Sequence, residues 1–255
     1  MKSYLISAWL VIVSTLAQKV NGANQPWATP LINAVFKNDE NLVKRLLANG
    51  ANASATTGSG YTALMYAAKE GKEKMVELLV PKSDDAKAST NYEGKTALMY
   101  AARYGNKKMV ELLLPESDTN ASNKNGQTAL MYAARYGNKD LVGLLLPKSD
   151  AKATDKQGYT ALMYAAFYGT EQMVEILLPK SDAKASNNYD GKTALMYAVR
   201  RYGKTKMVEL LLTESDVKAV CCQTADDTVG NGYTALDLAK SFGNSQIVSL
   251  LRQYN

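Results

Sequence analysis

The tripeptide Thr-Ala-Leu begins at Thr62, Thr96, Thr128, Thr160, Thr193 and Thr234, at intervals of 34, 32, 32, 33 and 41 residues. A chain that repeats itself at a fixed period of this size cannot be an arbitrary globule: it is a tandem array of one small unit. A diverged copy, Thr29-Pro30-Leu31, lies 33 residues before Thr62 and brings the count to seven. Copying also explains an odd composition, in which ten Met and sixteen Tyr stand against three Phe and two Trp.

Each copy follows the same local grammar. In the third, Thr96 is placed to cap a helix through its hydroxyl, and Leu98, Met99 and Ala102 recur at helical spacing. Gly105 then suits the left-handed conformation that ends a helix, as do Gly71, Gly137, Gly169, Gly203 and Gly243, with Asn38 in the first copy. A second helix is predicted from Asn106 to Leu114, stopped by Pro115, because proline disfavours helix in the residue before it. Pro81, Pro147 and Pro179 repeat that stop. The following stretch, residues 116–126, has turn chemistry and no apolar run. The expected fold is therefore all-α, a solenoid of helix-turn-helix units joined by β-hairpin-like loops, with units starting near residues 28, 61, 95, 127, 159, 192 and 233.

The array is preceded by a different kind of segment. Lys2 introduces an uncharged run from Tyr4 to Ala17, and Val20 and Gly22 suit a signal-peptidase site, so residues 1–22 are read as a signal peptide and residues 23–255 as the mature repeat domain. That run is shorter than the ~20 residues a membrane span needs, and no later stretch is apolar enough, so the expectation is a protein of the secretory lumen or the cell exterior. Two sequons, at Asn52 and Asn120, fit that route as glycosylation candidates.

These phrases resemble the ankyrin repeat. Thr-Ala-Leu-Met-Tyr-Ala-Ala matches the family's Thr-Pro-Leu-His-x-Ala-Ala, Asp155-Lys-Gln-Gly158 matches its turn, and Leu46-Leu47-Ala48-Asn49-Gly50-Ala51 matches its closing phrase. The likeness covers about residues 27–255. Met65, Met99, Met131, Met163 and Met196 stand where the family has His, which implies that packing replaces the hydrogen bonds of that His. Thr193 lies ten residues before Gly203 where nine is the rule, so one extra residue near Arg200 and Arg201 has to be absorbed. The last copy intersperses Asp237, Lys240, Ser245, Gln246, Ser249 and Arg252 among its apolar residues and reads as a C-terminal cap, completing the array.

The chain has no histidine, which removes His triads, His-ligated metals and the commonest general base. Acidic residues are scattered over helix exteriors and loops, so neither an enzyme, a metal site nor a cofactor is expected. The formal charge of +6, to which Lys2 and Lys19 contribute two, is too small to imply nucleic acid.

The resemblance implies that the ends of the first helices and the hairpin tips line a concave face that grips proteins. Carried onto this sequence, the positions before each turn glycine are Lys69, Arg103-Tyr104, Arg135-Tyr136, Phe167-Tyr168 and Arg201-Tyr202. The hairpins add Tyr92, Lys124, Lys156, Tyr159 and Tyr189. Arg and aromatic residues are the composition of binding hot spots, although duplication alone would also copy an Arg-Tyr pair. The second Tyr of each phrase, Tyr66 to Tyr197, is expected to be structural. The leading reading is a non-enzymatic, secreted, monomeric module that binds a protein partner; the alternative is a salt-sensitive anion or nucleic-acid binder using the same stripe. The long interval before Thr234 holds both cysteines, Cys221 and Cys222, which cannot staple distant elements and suggest pairing with another molecule, such as a thiol-linked dimer.

Overall fold

A computed structural model describes residues 29–83, 88–200, 204–221 and 232–254. The signal-peptide segment, Arg201, Tyr202, Gly203 and Cys222 lie outside these residues. Fourteen α-helices occur among the described residues, two per unit. The first helices of the units are α1 (Pro30–Phe36), α3 (Ala63–Lys69), α5 (Ala97–Tyr104), α7 (Ala129–Arg135), α9 (Ala161–Tyr168), α11 (Ala194–Val199) and α13 (Ala235–Ser241). The second helices are α2 (Glu40–Ala48), α4 (Glu73–Leu79), α6 (Lys107–Leu113), α8 (Lys139–Leu145), α10 (Glu171–Leu177), α12 (Thr205–Leu212) and α14 (Ser245–Leu251).

Helices of six to nine residues are not stable alone in water, so packing and caps must hold them. Thr29, Thr62, Thr96, Thr128, Thr160, Thr193 and Thr234 each accept the backbone N–H three residues on, at 3.2–3.5 Å. Such a cap contributes about 1 kcal/mol. Asn106, Asn138 and Asn244 cap second helices in the same way. First helices pack on first helices of adjacent units and are buried nearly all round: Ala97, Leu98, Met99, Tyr100, Ala101 and Ala102 of α5 are all in the core. Second helices bury one stripe, as with Met109, Val110 and Leu113 of α6.

The hairpins are joined in series by the backbone. The N–H groups of Asn91, Lys124, Lys156 and Asn188 donate to Ser59, Glu93, Asn125 and Gln157 of the preceding hairpin at 2.8–3.1 Å. One edge of the stack is thus fixed by hydrogen bonds, while the helices are fixed by apolar contact. On the outer face Lys108 bridges units through Glu73 at 2.8 Å and Glu77 at 2.5 Å, a solvated pair of contacts that adds little stability.

One sequence expectation is refined and one changes. Each second α-helix that leads to a proline does end two residues before it, at Leu79, Leu113, Leu145 and Leu177, but Pro81, Pro147 and Pro179 then sit inside one 3-10 turn each, Val80–Lys82, Leu146–Lys148 and Leu178–Lys180. Val80, just before Pro81, keeps right-handed helical angles, φ −51° and ψ −49°. Proline is tolerated there because the first residues of a turn need no N–H donor, and tightening to i→i+3 bonding completes the turn, with Ser83 N–H on the Val80 carbonyl at 3.3 Å. Gly71, Gly105, Gly137, Gly243 and Asn38 are left-handed as expected, but Gly169 is extended, φ −92° and ψ −158°. Glycine is needed there for close approach, since a Cβ would lie 2.7 Å from the Ala165 carbonyl oxygen.

Candidate functional face

The last turn of each first helix carries the residues singled out above, because the threonine cap fixes their register. Seven residues after the capping threonine stand Lys69, Arg103, Arg135, Phe167 and Arg200. The Arg103 guanidinium lies between two rings one unit apart, 5.5 Å from Tyr104 and 5.4 Å from Tyr136. Arg135 instead meets two rings of the next unit's helix, Tyr168 at 5.5 Å and Tyr164 at 5.6 Å. In the fifth unit Phe167 takes the place of Arg and meets Tyr168 and Tyr197 edge-on. Arg200 then lies over Phe167 at 5.5 Å and Phe242 at 6.0 Å.

Among the described residues Arg200 continues this row. Counting back from Gly203 selected Arg201, which lies outside the described residues along with Tyr202. Counting forward from Thr193 selects Arg200, because α11 ends at Val199 with Arg200 as its cap, so the extra residue falls after the helix. The signal was present in the sequence: the N-terminal cap, not the turn glycine, sets the register of a short helix.

Two clefts run between this row and the hairpins. The first, about 300 Å3, is lined by Tyr92, Lys124, Arg103, Arg135 and Tyr136, with Glu93 and Lys95 on its wall. The second, about 270 Å3, is lined by Tyr159, Tyr189, Phe167, Tyr168, Arg135 and Arg200. Arg135 belongs to both. The hairpin tyrosines Tyr92 and Tyr189 are 77% and 82% exposed, and Tyr104, Tyr136 and Tyr168 are about half exposed. Lys69 lies over Tyr61 at 5.2 Å, outside both clefts, and Lys156 is an exposed hairpin residue that lines neither.

Among the described residues no carboxylate lies within ion-pair distance of Arg103, Arg135 or Arg200, whereas Lys95 and Lys192 are paired with Glu93 at 3.0 Å and Asp190 at 2.7 Å. The arginines are therefore held by rings and keep their donors for something else.

Below the arginines the buried tyrosines form a polar layer that sequence reasoning missed. Met65, Met99, Met131, Met163 and Met196 do pack in the core, but hydrogen bonding is not lost with the family's His; it moves one residue along. The Tyr164 hydroxyl donates to Asp155 at 2.6 Å and accepts from Gln127 of the preceding hairpin at 3.0 Å. Tyr197 accepts from Asn187 at 2.6 Å and donates to Tyr159 at 3.0 Å, and Asn123 donates to Tyr132 at 2.9 Å. Tyr100 and Tyr61 share a bond of 2.8 Å across units. Burial pushes the Tyr100, Tyr132, Tyr164 and Tyr197 phenols up, assisted at Tyr164 by the bond to Asp155, so they remain protonated donors at neutral pH. The sequence signal was a short side chain with an acceptor oxygen five or six residues before Thr128, Thr160 and Thr193: Asn123, Asp155 and Asn187.

The remaining sequence candidates are scattered. Asn52 and Asn120 are exposed; the Asn52 side-chain oxygen closes a turn onto Ser54 N–H, and that of Asn120 accepts from Asp150 N–H at 2.8 Å. Cys221 is only 2% exposed, packs in the core and exchanges two backbone bonds of 2.9 Å with Tyr233, while Cys222 lies outside the described residues. Among the described residues there is no group of three His, Cys, Asp or Glu side chains fit to hold a metal, and no helix is long and apolar enough to cross a membrane.

No curated protein matches the chain. A family model for ankyrin repeats in sets of three matches it in overlapping registers, at residues 11–90, 31–123, 68–155, 114–188, 130–221 and 180–255. Ankyrin repeats indicate a protein–protein interaction module. With threonine-capped helix pairs stacked in one direction, hairpins bonded in series and a family match spanning residues 11–255, the chain belongs to the ankyrin-repeat family.

Proposed function

We propose that the chain is a secreted, non-enzymatic, monomeric module that grips an acidic or mixed-charge protein through the face bearing Arg103, Arg135 and Arg200. The observation that supports this most is the combination of ring-held guanidinium groups with no carboxylate partner among the described residues. A guanidinium flanked by rings is partly desolvated and fixed in orientation before a partner arrives, so less entropy is lost when its fork meets a carboxylate. A nucleic-acid binder would instead show a steep salt dependence with no preference among proteins.

The test uses the proteins retained from a secreted fraction by the immobilised chain. The double variant Arg103→Ala, Arg135→Ala is expected to lose at least roughly tenfold in affinity, about 1.4 kcal/mol. The variant also forfeits contacts to four rings, each worth about 0.5–1 kcal/mol at an exposed site, so a modest drop in Tm accompanies the loss. The pair Lys107→Ala, Lys139→Ala, on the exposed second helices, is expected to change binding little. Equal losses from the two pairs contradict the assignment of the face.

Secretion is tested separately. N-terminal sequencing of exported material is expected to begin at or within a few residues of Ala23, and a mature protein that retains Met1 inside the cell contradicts it.

A further inference from the structure

We infer that the ligand of this face is an extended acidic segment with carboxylates at a fixed stagger: two spaced three residues apart, an apolar residue three further on, and a third carboxylate three beyond that. The inference rests on the proposed face and adds the chemistry and spacing of what fits it.

The stagger follows from the stack. Adjacent packed helices stand about 8–10 Å apart, so equivalent residues of neighbouring units are separated by roughly 10 Å. A chain in the polyproline II form has three residues per turn and rises about 3.1 Å per residue, so every third side chain returns to the same face about 9 Å along, close to one unit. Arg103 and Arg135 occupy successive units, Phe167 occupies the next, and Arg200 the one after. Read along the stack, the floor presents cation, cation, ring, cation. An occupant that satisfies each in turn carries carboxylate, carboxylate, apolar side chain and carboxylate at every third position.

A helical occupant would need its groups about seven residues apart to match the same interval, at about 1.5 Å per residue. The exposed Tyr92 and Tyr189 stand at the hairpin side of the first and second cleft, where they would lie against the segment's backbone. Arg135, lining both clefts, is the residue on which the register turns.

The test is a titration of the full repeat domain with fluorescent ten-residue peptides by anisotropy. One peptide carries Glu at positions 1, 4 and 10 and Leu at position 7, with Gly and Ser elsewhere; a second has that order reversed, because the segment's direction is read out and not assumed. A shuffled peptide of equal composition, a helical peptide with the same groups at seven-residue spacing, and a single-stranded oligonucleotide of equal charge are the comparisons. One of the two staggered peptides is expected to bind at least tenfold more tightly than the shuffled one. Arg135→Met, which retains an apolar stem between the rings, is expected to remove at least tenfold of that affinity, with smaller losses from Arg103→Met or Arg200→Met. A shuffled or helical peptide that binds as well, yet still depends on Arg135, overturns the stagger and leaves the face standing. Binding unaffected by all three Met variants, or an oligonucleotide that binds more tightly than either staggered peptide, overturns both.

Discussion

Removal of residues 127–158, one full period, is expected to leave a folded helical array, whereas removal of residues 232–255 is expected to give an aggregating one. In a stack each unit touches only its neighbours, so what matters is whether the new neighbours fit. Deleting the fourth unit brings α5, Ala-Leu-Met-Tyr-Ala-Ala-Arg-Tyr, against α9, Ala-Leu-Met-Tyr-Ala-Ala-Phe-Tyr, and the new hairpin reads Asn123-Lys124-Asn125-Gly126-Tyr159. The buried positions contributed by the helices keep their residue type except that Met173 takes the place of Leu141, a volume-conserving swap, and the loss is one unit's share of stability, a few kcal/mol or roughly 10 °C in Tm. Deleting the last unit uncovers α11 and α12, which pack on α13 and α14. It removes the buried Leu238, Ile247 and Leu251, each worth about 1.5–3 kcal/mol, and leaves an apolar face of a size that monomers rarely tolerate. Size-exclusion chromatography with circular dichroism reads both; equal collapse of the two deletions contradicts a nearest-neighbour stack.

Asp155→Ala is expected to cost about 2–4 kcal/mol, while Asp155→Asn is expected to cost less than about 1. The Asp155 carboxylate is buried and accepts from Gln157 N–H at 3.0 Å, Tyr159 N–H at 2.9 Å and the Tyr164 hydroxyl at 2.6 Å. Alanine leaves two backbone donors and a buried phenol without that acceptor. Asparagine does not, because the protein already uses it at the same place: the Asn123 oxygen takes Asn125 and Gln127 N–H while its amide donates to Tyr132, and Asn187 does the same with Tyr189, Asp190 and Tyr197. The phenol only has to turn from donor to acceptor. At roughly 2–4 °C per kcal/mol for a domain of this size, Ala is expected to lower Tm by about 5–15 °C and Asn by a few degrees at most. A loss from Asn as large as that from Ala shows that the charge, and not the acceptor geometry, is what the hairpin requires.

The fold was legible in the sequence because its determinants are local and repeated. The capping threonines, the left-handed glycines and the apolar spacing of Ala-Leu-Met-Tyr-Ala-Ala each act within a few residues, and the family's phrase carried the stacking direction. The misreadings arose where one position serves two elements. Proline was rightly read as ending the second α-helix, but the 3-10 turn that follows at Pro81, Pro147 and Pro179 was not read. Gly169 was read by analogy with Gly105, while its extended backbone closes against the Ala165 carbonyl four residues before it. On the face, Arg103 and Arg135 were legible from position, but their clamping by rings of the next unit depends on the unit spacing and could not be read along the chain. The tyrosine hydroxyl layer was hidden for the same reason: Gln127 and Tyr164 meet across units, 37 residues apart.

Oxidative footprinting of the tyrosines, with and without the retained partner, tests the central claim most directly, since the face supplies its own probes. Tyr104, Tyr136 and Tyr168 are 46–50% exposed around the arginines, and Tyr254, 53% exposed beyond α14, serves as the control. The account predicts that partner binding protects Tyr104, Tyr136 and Tyr168 and leaves Tyr254 unchanged. Unaltered reactivity at those three tyrosines in a saturated complex contradicts it, and places the partner elsewhere on the array.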